Sequence, residues 1–153
     1  MKMKLNLIAA ALALGTAGFV QAADKADRKV HNADEERIES EYKAAKEKCD
    51  AMSGNQKDIC IAEAKGKERV AKAENDAKTA KDHAKAQARV ERVKADADYD
   101  VAKQKCQENK GNEKDVCLKQ AKADRDRAKA TGAKHERANE RTAGSGSSKP
   151  ARQ

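Results

Sequence analysis

Apolar side chains recur along this chain at helical spacing. Ile38, Tyr42, Ala45, Cys49 and Met52 follow one another at steps of four, three, four and three residues, which lines them along one seam of a helix that must meet a partner. The seam stops at Gly54. Glycine accepts the left-handed backbone that closes a helix, Asn55 is suited to cap the helix that follows, and Asp58 sits where the positive end of that helix favours an acid. Gly111, Asn112 and Asp115 repeat the arrangement. Between the two turns, residues 56–109 contain no proline and only one glycine, Gly66, so the pattern predicts one long helix of about 80 Å. The expected fold is all-α: an extended helical hairpin array, its long central helix flanked by two shorter antiparallel helices.

An internal repeat underlies the pattern. Shifted by 57 residues, the segment 42–74 matches 99–131 at 15 of 33 positions, with Tyr42, Cys49, Gly54, Asn55 and Cys60 falling on Tyr99, Cys106, Gly111, Asn112 and Cys117. Lysine and alanine bias does not place tyrosine, cysteine and a Gly-Asn pair in fixed register, so the chain contains a duplicated unit. The units divide at residue 84, into 23–84 and 85–141.

The N-terminus changes the setting. Lys2 and Lys4 precede an apolar run over residues 5–20 that ends in Val20, Gln21 and Ala22, the three-part pattern of a secretory signal peptide. The run is interrupted by Asn6, Gly15, Thr16 and Gly18 and falls short of the roughly 20 residues of a membrane span. Cleavage is therefore expected between Ala22 and Ala23, giving a periplasmic protein whose mature form has no transmembrane anchor. Four cysteines in an exported chain favour disulfides over metal binding or thiol catalysis. They allow three pairings, of which Cys49 with Cys60 and Cys106 with Cys117 is favoured because each pair flanks a turn at the same spacing.

Composition narrows the function further. Beyond residue 22 only eleven Val, Ile, Leu or Met side chains remain, with no Phe or Trp, too few for an ordinary globular core. Long helices pinned by disulfides fit this content. The net charge of +8 falls to about +6 once Lys2 and Lys4 leave with the signal, and acids alternate with bases along the helices. Nucleic-acid readers concentrate positive charge beside aromatic platforms, whereas Tyr42 and Tyr99 are the only aromatics beyond residue 22. No nucleic-acid partner is expected. The last segment, 142–153, has no acid and carries Lys149 and Arg152 among glycine and serine, which reads as a disordered basic tail.

No cofactor or catalytic residue is expected, since no nucleophile elbow, phosphate loop or zinc-protease helix occurs. His31, His83 and His135 stand 52 residues apart. If Cys49 faces Cys60, His31 lies opposite Lys78; if Cys106 faces Cys117, His135 lies opposite Ala88. His83 falls midway on the long helix, so one zinc ion does not collect all three, and no metal site is expected. Lys48 and Lys105 beside the cysteines suit a helix C-terminus better than a redox centre.

The element Cys-x4-Gly-Asn-x-Lys-Asp-[Ile/Val]-Cys, set in Lys/Ala-rich helices behind a signal, resembles a group of small exported Gram-negative proteins, some labelled TolA-like. That resemblance covers residues 1–133 and implies a helical envelope protein. The chain is expected to depart from TolA itself in a cleavable N-terminal segment and in the absence of a C-terminal globular domain after the helices. The expected role is structural or protein-binding, toward another envelope protein. Binding to an anionic envelope polymer or membrane surface, and thiol or metal handling, are the alternatives.

Overall fold

The computed structural model describes residues 17–145, side chains being described over 28–138 and at Arg141. It contains four helices: α1 (Ala17–Asp50), α2 (Gly54–Thr79), α3 (His83–Lys105) and α4 (Gly111–Ser145), with a short 3-10 turn at Cys106–Glu108 before α4. No strand occurs among the described residues. Alanine, lysine, glutamate and arginine have high helix propensity, so these segments tend to be helical before any packing is considered.

The single long helix expected over residues 56–109 does not form. At residues 80–82 the backbone leaves the helix, with Ala80 extended at φ −69° and ψ 133°. Asp82 then starts α3 by accepting the backbone N–H of Lys85 on Oδ1 at 3.0 Å. The break lies beside the expected unit boundary at residue 84, and an aspartate cap marks it instead of glycine or proline. Its physical reason lies in packing. Doubling back packs α2 on α3 and brings Gly66 against Ala97, a contact that one continuous helix cannot make.

The result is a meander in which α1 packs on α2, α2 on α3 and α3 on α4. Alternating direction brings both cysteine-flanked turns to one end of the array. Ile38, Ile59 and Val90 are the larger buried apolar side chains, and Ala64, Ala73, Ala88, Ala95 and Ala97 fill most of the rest. Such small residues need close helix approach. A Cβ on Gly66 of α2 would stand 3.2 Å from the Ala97 Cβ of α3, so glycine there is what lets the two helices touch. Along the first seam Ile38 and Cys49 are buried, and Tyr42 and Ala45 are half-buried. Met52 is not in the seam; it lies past the end of α1 and is 46% exposed.

Ion pairs stitch each interface on the outside. Lys78 Nζ meets Asp34 Oδ2 at 2.6 Å between α2 and α1, Arg69 meets Asp100 at 2.6 Å between α2 and α3, and Arg92 meets Glu136 at 2.6 Å between α3 and α4. The duplication survives here too. Lys72 with Glu39 and Lys129 with Asp96 occupy equivalent positions 57 residues apart, at 3.6 and 2.6 Å. Exposed pairs of this kind are individually weak and serve chiefly to fix register.

Candidate functional site

The end that carries both turns is the most constructed part of the molecule. Cys49 is bonded to Cys60 and Cys106 to Cys117, with Cα separations of 5.5 and 5.7 Å, ordinary values for unforced bridges. The pairing is local, as the spacing favoured. No cysteine is free, so Lys48 and Lys105 have no thiol to activate. Gly54 and Gly111 take φ of +57° and +53°, the left-handed backbone expected of them. Each stands at the first position of its helix, not at the close of the preceding one. That preceding turn is instead tied by Met52 N–H to Cys49 O at 3.0 Å in the first unit and Asn109 N–H to Cys106 O at 3.3 Å in the second.

Asn55 does not cap α2, whose N-cap position falls to Ser53. Its side chain crosses to the other unit, donating Nδ2 to Glu108 Oε1 at 3.3 Å, and Gln56 Nε2 donates to the same oxygen at 3.2 Å. Asn112, its counterpart in the second unit, is exposed. Lys57 Nζ closes the first turn on Asp50 at 2.9 Å, and this hydrogen bond holds the Asp50 carboxyl below its usual range. Between the turns lies a shallow depression of about 420 Å³, lined by Met52, Gln56, Ile59, Cys60, Lys105 and Glu108 among others. A rigid two-turn platform with an apolar floor and charged rim results. Val116, 57% exposed, stands on α4 beside the second bridge.

The histidines divide as the hairpin register requires, with one change. His31 meets α2 at Asn75 and Asp76, two to three residues from the expected Lys78: its carbonyl accepts Asn75 Nδ2 at 3.0 Å, and its Nε2 is 3.5 Å from Asp76 Oδ1. His135 shares a cleft with Ala88 as expected. His83 does not stand midway on a long helix; the break at 80–82 puts it in the same cleft as His31, about 610 Å³ in volume. The residues that sequence reasoning missed are Glu35 and Asp76. With His31 they place one ligand atom each within 4.8 Å of one another. The signal was present, since facing Cys49 with Cys60 sets Asp76 opposite Ala33, between His31 and Glu35.

Ala22 and Ala23 lie in the early turns of α1, and most of the apolar run 5–20 falls outside the described residues. No helix among the described residues is long and apolar enough to cross a membrane. α4 continues through Ser145, four residues into the segment read as a tail, and Lys149 and Arg152 lie outside the described residues. No protein-family model, curated protein or solved structure matches the chain.

Proposed function

We propose that this is a non-catalytic, exported interaction module of a cell envelope, which meets another envelope protein through its doubly stapled end. The observation that carries the reading is the junction of two disulfide-bonded turns by Glu108, Asn55 and Gln56. Two bridges at one tip of an otherwise thinly cored array stiffen the surface that exposes Met52 and Val116. Pre-ordering a surface lowers the entropy lost when a partner binds. Exposed apolar side chains within a polar rim are the usual composition of such a contact. Export by the signal at residues 1–22 would supply the oxidising conditions the bridges need, in keeping with the resemblance to small exported TolA-like proteins.

A photo-crosslinking residue placed at Met52 or Val116 in living cells tests this. The expected result is a discrete adduct from both tip positions and none from Ala123, on the exposed flank of α4. Equal adducts from all three sites would sink the tip as the binding surface.

A further inference from the structure

We propose that His31, Glu35 and Asp76 form a transition-metal site, best suited to zinc, that clips α1 to α2 at the end of their hairpin far from the Cys49–Cys60 bridge. His31 and Glu35 are four residues apart on α1 and so project from one face; Asp76 reaches them from α2. One ligand atom from each lies within 4.8 Å of the other two. A tetrahedral zinc ion with bonds of about 2.0–2.2 Å holds its ligand atoms about 3.3 Å apart. His31 Nε2 and Asp76 Oδ1, at 3.5 Å, are almost there already.

The donor set discriminates among ions. Calcium and magnesium favour all-oxygen shells, whereas an imidazole beside two carboxylates suits zinc and its transition-metal neighbours. Arg89 Nη1 holds the other carboxylate oxygen of Asp76, Oδ2, at 3.2 Å, which fixes the group with Oδ1 toward His31, as outer-shell partners of metal ligands do.

A second observation points to a ligand at this place. Asn75, next to Asp76, is 2% exposed, and its Oδ1 has no hydrogen-bond partner while its Nδ2 is spent on the His31 carbonyl. Buried acceptors without partners are rare and destabilising. Asn75 lines the cleft shared by His31 and His83, so a water held beside the His31 ligand and donating to its Oδ1 would satisfy it. The second unit lacks the arrangement: the position equivalent to Asn75 is Gly132, and that equivalent to His31 is Ala88. The site therefore belongs to the first hairpin alone.

Isothermal titration of the oxidised protein with zinc chloride, after chelator treatment, is the test. The expected result is one ion per chain, with X-ray absorption showing nitrogen and oxygen ligands and no sulfur. His31→Gln and Asp76→Asn should each weaken binding by more than about tenfold, while His135→Gln leaves it unchanged. Circular dichroism identifies any variant that has lost its fold, and Glu35→Gln, which weakens the third ligand without changing its size and should also lower the affinity, then serves in its place. Absence of stoichiometric binding, or equal affinity in His31→Gln and the parent, would mean that His31 and Asp76 form only an ion pair, and would overturn the proposal.

Discussion

Gln56 donates its side-chain amide to Glu108 at 3.2 Å, joining the turn of the first unit to the turn of the second. One continuous helix would hold those turns about 80 Å apart. Spin labels at Ala51 and Lys110 should therefore report a distance of about 10–20 Å, the span of neighbouring helices. A broad distribution centred several times further out would restore the extended arrangement and remove the shared platform.

Each disulfide closes a loop across a separation of 11 residues, for which loop-closure entropy gives about 3 kcal/mol. Against so few large buried side chains that is a large share of the total stability. Replacing Cys49 and Cys60 with serine is expected to lower the melting temperature of the far-UV signal strongly, and the Cys106 and Cys117 pair should act similarly. A four-serine protein that melts as hot and as cooperatively as the parent would show the bridges to be incidental.

Helix α2 meets α3 through side chains with almost no excess volume. Gly66→Val is expected to lose about 1–3 kcal/mol, because the added branches meet Ala97 and force the helices apart. Val90→Ala removes the largest fully buried side chain and should lose about 2 kcal/mol. Chemical denaturation measures both. A Gly66→Val protein as stable as the parent would mean that the two helices slide freely past this contact.

Asp82 is what turns the chain between α2 and α3. Its carboxyl is held below the usual range, first by the Lys85 backbone N–H. Replacing it with alanine should fray the start of α3, seen as faster amide exchange at Ala84 and Lys85, while the two stapled turns keep their protection. Uniform loss of protection along the chain would instead make residues 80–82 part of one cooperative unit.

Lys78 and Arg37 hold the Asp34 carboxyl below its usual range, Lys57 does so for Asp50, and the Lys85 backbone does so for Asp82. A depressed carboxyl adds stability above its unfolded value, and that stability is lost as pH falls through the folded one. Lys72, beside Glu68, and Lys94, beside Glu74, are raised, so their contribution is lost as pH rises through the folded values. The melting temperature should thus be flat from about pH 5 to 9, falling below about pH 4 and above about pH 10. Asp50 and Asp82 are exposed and Asp34, Lys72 and Lys94 half-buried, so added salt should flatten the profile. A steep change near pH 7 would contradict it.

The hairpins and their register were legible because Tyr, Cys, Gly-Asn and Cys recur in fixed order, and a cysteine pair fixes which residues face each other. That is why His135 could be placed against Ala88 and both bridges paired. The doubling of the chain at residues 80–82 was not legible, because glycine and proline are the strongest breakers in sequence and Asp82 is neither. Nor did α2 and α3 advertise their mutual face. Its close contact is Gly66 on Ala97, and in a chain this rich in alanine such small residues carry little periodic contrast. Asn55 was assigned by its local preference for caps, but a tertiary partner, Glu108, claimed it.

Duplication of a hairpin raises a question of termination. The face of α2 that receives α3 has its copy on α4, and the face of α3 has its copy on α1, so further chains would add head to tail without limit if the copies were faithful. The copies are not faithful. Where α2 offers Gly66 and Val70, α4 has Ala123 and Arg127; where α3 offers Ala97 and Val101, α1 has Ser40 and Ala44. All four outer side chains are exposed. The contact that joins the units has been edited out of both free edges, much as the end repeats of a solenoid are made polar. Restoring it with Ala123→Gly, Arg127→Val, Ser40→Ala and Ala44→Val should turn a discrete particle into a concentration-dependent fibre, visible as sedimentation without a limiting size.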